Sequence, residues 1–225
     1  MISSFSPDGR SKAICKHPWL LISCLYLLSV ALRFALALLF RHGPTISIDE
    51  SLYINIAKSL AAGEGITYRS QPIPYMYLLY PLLLVPLYLL PFPVNFYRLI
   101  QLYNAFLICT SIFPVFLFAK DFTGSNKKSV LASVLTMLMP DLQLAGYLMA
   151  ESIIWPLSLW LIFFSYRLFT ADNRHLLYGT LTGLFTALLF WAKPGSLVIG
   201  LVLMIAALFL GKDQQKQYRR SSAFI

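Results

Sequence analysis

The chain alternates long apolar runs with short polar segments, and the length of the runs decides which elements they predict. An α-helix that crosses a bilayer needs roughly 17–25 mostly apolar residues. Six runs have about this length and contain few or no charges. They predict spans at residues 19–40, 97–119, 129–149, 152–169, 176–192 and 194–211. The first run exceeds the roughly 7–15 apolar residues of a signal peptide, so we expect an uncleaved span there.

The apolar segment at residues 72–93 differs from the others because it contains six prolines and several tyrosines. Each interior proline removes a backbone donor and strains a helix, and lipid offers no replacement partner. Tyrosine side chains favour the interface between membrane and water. The segment is therefore predicted to be re-entrant or interfacial and to form no regular crossing helix.

Cationic residues orient the predicted spans, because loops rich in Lys and Arg stay on the cytoplasmic side. With six spans and a non-crossing segment at 72–93, twelve cations share the side of the N-terminus: Arg10, Lys12, Lys16, Lys120, Lys127, Lys128, Arg167, Arg174, Lys212, Lys216, Arg219 and Arg220. Five lie on the other side: Arg41, Lys58, Arg69, Arg98 and Lys193. The split predicts cytoplasmic tails at 1–17 and 212–225, a membrane module at 18–211 and an outer loop at 41–96.

Two other arrangements must be weighed against this one. If residues 72–93 cross and the N-terminus stays inside, the two totals of cations exchange, which contradicts the charge rule. If the N-terminus lies outside and the segment crosses, the favourable split returns. That arrangement exposes the basic tail and requires a span with six prolines, so we do not adopt it.

Composition agrees with the all-α integral membrane protein that the apolar runs predict, and we expect it to cross the plasma membrane several times. Only 12% of the residues are charged, against roughly 25% in soluble domains, which leaves too little polar surface for a body in water. The net charge of +9 does not indicate nucleic-acid binding, because the cations stand between apolar runs and form no basic stripe. Three cysteines and three scattered histidines have no metal-ligand spacing, so neither a metal nor another cofactor is predicted.

The outer loop contains a predicted helix. Ser47 and Glu50 have the spacing of a capping box, and the glycines at 63 and 65 indicate a stop. Apolar residues recur between them at helical spacing: Ile48, Leu52, Ile56 and Leu60. This pattern predicts a helix on the outer membrane surface with Asp49 and Glu50 in its first turn.

Charged residues near the outer loop are the candidates for chemistry. Asp49 and Glu50 either complement the helix dipole and close its cap, or place Asp49 as a general base at the membrane surface. The predicted topology brings Glu151, Lys193 and Asp141 to the same side. Ionisable groups at membrane depth are costly and usually face a cavity, a partner or a substrate.

Three cations on the outer side are candidate ligands for a phosphate: Lys193, Arg69 and Arg98. Lys193 taken alone is equally well explained as an anchor that snorkels to the interface. His42, near the start of the outer loop, is better explained as a solvated interfacial residue than as a ligand. The sequence therefore offers both acids and cations for a single outer site.

Residues 48–60, which read IDESLYINIAKSL, resemble the acidic loop of the GT-C glycosyltransferases. That superfamily includes protein O-mannosyltransferases and the aminoarabinose transferases that modify lipid A. The likeness continues in order over residues 18–210, at 63–65, 80–82, 97–99, 104–105, 150–151, 179–183 and 192–194. Family members are longer chains with further spans, so the resemblance is to their N-terminal portion.

The resemblance implies transfer of a sugar from a polyprenyl-phosphate carrier to a lipid, glycan or protein acceptor on the outer face. Asp49 would be the general base, and Glu50 a second catalytic acid. Five residues would bind substrate: Glu151, Lys193, Arg69, Arg98 and Asp141. The likeness ends before the family's C-terminal part, which normally helps to bind the donor lipid and the acceptor. A partner chain is therefore expected to provide those binding surfaces.

Two other classes of function stay open. One is a non-catalytic fragment or subunit that docks onto a longer partner. The other is a transporter or lipid-handling protein in which Asp49, Asp141 and Glu151 gate a polar path. A transporter is expected to hold ionisable residues near the middle of several spans and to have paired halves. Here the predicted acids lie toward one face and no internal repeat is evident.

Overall fold

The computed structural model describes residues 18–43, 47–91, 95–139, 146–170 and 174–196, together with positions 198 and 202. Its helices are α1 (Pro18–Phe40), α2 (Ile48–Ala61), α3 (Leu79–Tyr88), α4 (Phe96–Cys109), α5 (Ile112–Thr123), α6 (Asn126–Met137), α7 (Glu151–Thr170) and α8 (His175–Ala192). Strands β1 (Thr67–Tyr68) and β2 (Gln71–Pro72) form an antiparallel hairpin, and a 3₁₀ turn covers Pro194–Ser196. All other regular elements of the described residues are α-helices, as the all-α class predicts.

Four helical segments are long and apolar enough to cross a membrane: Pro18–Phe40, Phe96–Thr123, Glu151–Thr170 and His175–Ala192. They match the predicted spans at 19–40, 97–119, 152–169 and 176–192 to within a few residues. The predicted span at 194–211 and both predicted cytoplasmic tails lie largely or wholly outside the described residues. The chain thus has the helices of a membrane protein, whereas the predicted number of six spans is not confirmed.

The predicted single span at 129–149 is wrong as one continuous helix. Helix α6 ends at Met137, and residues 146–150 are not α-helical. Pro140 follows Met139 in the sequence, and a residue before proline is disfavoured in the helical region. The apolar run contained this stop signal, but the count of apolar residues ignored it.

The second spanning segment is interrupted between α4 and α5. Pro114 cannot donate to the carbonyl of Thr110, and its ring crowds that carbonyl. The Thr110 carbonyl instead accepts the amide N–H of Phe113 at 3.1 Å. The Thr110 hydroxyl donates to the Leu107 carbonyl at 2.6 Å. One proline thus accounts for the break in an otherwise continuous apolar segment.

The proline-rich segment contains only a short helix. Helix α3 has 10 residues and is therefore about 15 Å long, half of the roughly 30 Å of a hydrocarbon core. Residues 73–78 before it are irregular. The described residues of 72–93 thus form no continuous helix long enough to cross, as predicted, whereas their re-entrant or interfacial placement stays a prediction. Tyr80 in this helix is buried and donates to the side-chain oxygen of Asn104 at 3.0 Å.

Contacts between neighbouring helices define two ends of the molecule. At the Lys193 end, Glu151, the first residue of α7, accepts a hydrogen bond from Lys193, the residue after α8. At the Arg167 end, the last turn of α7 meets α5 through Arg167 and Asp121, at 3.1 Å. The C-terminus of α1 and the N-terminus of α4 also meet, because Arg98 donates to the Arg41 carbonyl at 2.7 Å.

Candidate functional site

Helix α2 is fixed to the rest of the molecule by a buried acid. Glu50 is 1% exposed, and its carboxylate accepts the amide N–H of Leu148 at 2.9 Å. The same face of α2 packs Tyr53 and Ala57 into a core with Leu148 and Ala150. The buried face is thus offset from the predicted apolar stripe, whose first residue, Ile48, is 82% exposed.

The two ends of α2 test the predicted start and stop signals. The helix begins at Ile48 as predicted, but the Ser47 side chain makes no capping hydrogen bond, so the capping-box prediction is wrong for Ser47. The stop signal is confirmed, because Gly63 has a φ of 76° and its amide donates to Leu60. The amide of Glu64 donates to the Ser59 carbonyl at 2.9 Å, which completes a Schellman motif.

Lys193 is presented by the end of α8. It precedes Pro194, which disfavours the helical region, and its backbone is extended at φ −164° and ψ 130°. The Ser196 hydroxyl donates to the Leu189 carbonyl at 2.6 Å and stabilises this end of the helix. The helix dipole also favours a cation here and favours an anion at Glu151, the first residue of α7.

These elements bring three of the predicted site residues together in what we call the Lys193 cluster: Asp49, Glu151 and Lys193. The Lys193 ammonium lies 2.7 Å from Glu151 Oε1 and 3.6 Å from Asp49 Oδ2. The side chains of Lys193 and Asp49 are 41% and 45% exposed, so the cluster is open to a ligand. Two carboxylates and one ammonium leave a formal charge of −1.

The two carboxylates of the cluster are held differently. Glu151 uses Oε1 for Lys193, while its other oxygen, Oε2, is shielded and has no partner among the described residues. Asp49 is more exposed and only loosely paired. The pKa of Lys193 lies above its ordinary value, chiefly because the ammonium donates a hydrogen bond to Glu151. The negative charges of Glu151 and Asp49 also favour the protonated form. Lys193 is therefore cationic at neutral pH.

Two tyrosines border the cluster, and sequence reasoning did not find them. Burial raises the pKa of Tyr53, with further increases from Tyr75 and from the nearby charge of Asp49. Burial also raises the pKa of Tyr75, while a hydrogen bond with Tyr53 and the charge of Lys193 oppose this rise. For Tyr75 the signal was the tyrosine-rich run at 75–80, which was interpreted only as interfacial. Tyr53 lies within the acidic segment at 48–60, where no role was predicted for it.

The remaining candidates lie in other environments. Arg98 donates to the carbonyls of Ala37 and Arg41, the latter at 2.7 Å, and therefore caps the C-terminus of α1. Arg69 is exposed in the turn of the β-hairpin, with its guanidinium 5.2 Å from the ring of Tyr68. His42 is exposed, and Asp141 lies outside the described residues. The roles predicted for all of these residues stay predictions.

Comparisons with known proteins add no assignment to this geometry. No family model, no curated protein and no solved structure matches the chain. Within the described ranges, no group of three or more metal-ligating side chains is close enough to hold a metal ion. The fold and the Lys193 cluster define a helical membrane protein with a charged site at one end of its helices.

Proposed function

We propose that this chain is all or part of a GT-C-like glycosyltransferase that crosses the plasma membrane several times. It transfers a sugar from a polyprenyl-phosphate carrier to a lipid, glycan or protein acceptor at the outer face. The observation that supports this function best is the Lys193 cluster, where three distant parts of the chain meet in an accessible group with a formal charge of −1. Such a group suits proton abstraction from an acceptor.

Asp49 is the general base in this proposal. Its exposed carboxylate takes the proton of the acceptor hydroxyl or amine as that group attacks the anomeric carbon. The bond from that carbon to the phosphate oxygen breaks, and the lipid phosphate leaves with the electron pair. Holding both substrates near one membrane plane lowers the entropic part of the barrier.

The other acidic and basic residues of the site have positioning roles in this proposal. Lys193 bridges the carboxylates of Asp49 and Glu151 and compensates part of their charge. Since this cation already faces two anions, we assign it to the acceptor side of the reaction rather than to the phosphate. Glu50 is buried against Leu148 and fixes the helix that presents Asp49.

The proposed orientation predicts that the β-hairpin is outside the cell and that the turn between α5 and α6 is inside. Ser70→Cys and Thr123→Cys, each made in a chain without its native cysteines, place single thiols at exposed positions at these two sites. A membrane-impermeant maleimide added to intact cells should label Ser70→Cys and spare Thr123→Cys until the membrane is opened. Equal labelling of both from outside would contradict the orientation.

The reaction itself is tested in lipid vesicles with the chain purified under mild conditions, together with any partner chain that it retains. Polyprenyl-phosphate sugars labelled in the sugar are supplied with membrane extracts as acceptor, and nucleotide sugars serve as the control donors. We expect label to reach the acceptor only from the polyprenyl-phosphate donor. Transfer from nucleotide sugars at the same rate, or no consumption of any lipid-linked donor, would contradict the proposal.

A further inference from the structure

A second polar site lies beside α1 and shares no residue with the Lys193 cluster. It is a pocket of about 270 Å³ lined by Arg33, Leu36, Ala37, Phe40, Arg41, Gly146 and Tyr147. Pockets for whole small ligands usually measure roughly 300–1,000 Å³, so this volume suits a headgroup better than a complete lipid. Among the described residues, its lining has two cations and no carboxylate, which is the opposite charge balance from the Lys193 cluster.

Arg33 is the buried cation of this pocket. The residue is 5% exposed, and Nη2 donates to the carbonyls of Met137, the last residue of α6, and of Met139 just after it. Its Nε–H is shielded from solvent and has no partner among the residues that the structure describes. A buried donor without an acceptor costs free energy, and a shift of the Arg33 side chain toward an anion in the pocket would remove that cost.

Arg41 is the second cation and is held in place before any ligand binds. Its guanidinium lies 3.5 Å from the centre of the Tyr147 ring, and its carbonyl accepts a hydrogen bond from Arg98. Gly146 permits this arrangement, because a Cβ there would stand only 3.2 Å from Arg41 Cγ. Pre-ordered guanidinium groups lose little entropy on binding an anion.

We propose that this pocket binds the phosphate of a membrane lipid, with Arg33 Nε and the Arg41 guanidinium as donors. Arginine matches phosphate oxygens through parallel charge-assisted hydrogen bonds. The apolar side chains of Leu39 and Phe40 are exposed on α1 near Arg41, and they offer a surface along which the lipid chain can lie. This apolar flank favours a lipid-borne phosphate over inorganic phosphate, and the site does not depend on sugar transfer.

The test is native mass spectrometry of the purified chain in detergent with defined probes. Phosphatidylglycerol and polyprenyl phosphate present the phosphate with two kinds of chain. Diacylglycerol is the control without a phosphate, and inorganic phosphate is the control without a chain. We expect both phosphate lipids to bind and both controls to fail, and the tighter of the two lipids identifies the source of the phosphate.

Arg41→Gln should weaken binding of the phosphate lipid by about tenfold, which corresponds to about 1.4 kcal/mol. Lys127→Gln removes an equal charge from the exposed start of α6 and should leave binding unchanged. Arg33→Lys keeps the charge but removes the Nε donor, and Gly146→Val displaces the Arg41 stem. Each of these should also weaken binding, so the test does not rest on one variant that could fail to fold.

Three results would overturn the proposal. The first is an equal loss in Arg41→Gln and Lys127→Gln, which would reveal a general charge effect. The second is inorganic phosphate binding as tightly as the lipids, which would remove the role of the apolar flank. The third is that the wild type binds no phosphate lipid while Asp141→Asn does bind it. This result would show that an acid of the chain itself occupies the pocket.

Discussion

The two ends of the helix bundle each join three elements through charged side chains, but they balance those charges differently. At the Arg167 end, the guanidinium pairs with Asp121 of α5 at 3.1 Å and donates to the Tyr178 hydroxyl of α8 at 3.3 Å. One cation meets one anion. At the Lys193 end, one ammonium faces two carboxylates. A balanced pair is sufficient to hold helices together, whereas an unbalanced and accessible cluster has charge left for a ligand.

The pocket beside α1 extends this comparison within the Lys193 end itself. Residues 146–151 connect the two sites, because Gly146 and Tyr147 line the pocket while Glu151 belongs to the Lys193 cluster. Between them, the amide of Leu148 donates to Glu50. A short stretch of chain therefore separates a cationic site suited to a phosphate from an anionic site suited to an acceptor.

The largest effect is expected from Asp49→Asn. The neutral isostere retains the shape of the side chain but cannot take a proton, so transfer should fall by roughly 10²–10⁴-fold. Glu64→Gln, in the exposed turn after α2, is the matched control and should transfer sugar normally. The measurement is the vesicle assay with labelled polyprenyl-phosphate sugar. Near-normal transfer by Asp49→Asn would show that the acid serves only the helix dipole.

A direct comparison of the two ends comes from Glu151→Gln and Asp121→Asn. Each removes one carboxylate from its cluster. Loss of Glu151 frees Lys193 from its closest partner and should misplace the base, at a cost of up to about 10²-fold in transfer. Loss of Asp121 should leave transfer unchanged, because that pair only joins α5 to α7. Equal effects in the same assay would remove the distinction between the clusters.

The next effect is on stability. Glu50→Ala leaves the Leu148 N–H buried without its acceptor, which should lower the free energy of unfolding by about 1–3 kcal/mol. Glu50→Gln retains an oxygen at the same place and should recover much of this loss. Chemical denaturation in detergent, followed by helical circular dichroism, measures both variants. An unchanged midpoint for Glu50→Ala would show that this contact does not fix α2.

The smallest effect concerns the pH dependence of the Lys193 cluster. Because the pKa of Lys193 is raised in the folded protein, the protonated form favours folding. This stabilisation should be fully present below the unfolded pKa of about 10.4 and should decline as pH rises through the higher folded pKa. The difference in melting temperature between the wild type and Lys193→Met should therefore shrink above that pH. Lys58→Met, on α2, is the control for loss of a lysine elsewhere.

The long apolar runs predicted α7 and α8 well, because continuous hydropathy is a local property. Residues 152–169 and 176–192 were expected, and the helices are Glu151–Thr170 and His175–Ala192. The same reasoning failed at 129–149, where the stop before Pro140 outweighs hydropathy. Local chemistry of this kind was present in the sequence but was given too little weight.

The site was predictable only in part, because its contacts join residues far apart in the chain. The expected topology placed Asp49, Glu151 and Lys193 on one side, and the structure brings their side chains together. The spacing of Ser47 and Glu50 suggested a local cap, but Glu50 instead accepts from Leu148, 98 residues away. The cationic pocket was missed for the same reason, since no sequence pattern relates Arg33 and Arg41 to Tyr147.

The most direct test of the central claim is a structure of the chain with a non-reactive polyprenyl-phosphonate sugar. The claim is that the unbalanced Lys193 cluster is where the reaction occurs and that the balanced Arg167 pair only joins helices. We expect the anomeric carbon of the sugar beside Asp49, at the Lys193 end. A sugar bound at the Arg167 end, or bound at the Lys193 end with its anomeric carbon turned away from Asp49, would contradict the claim.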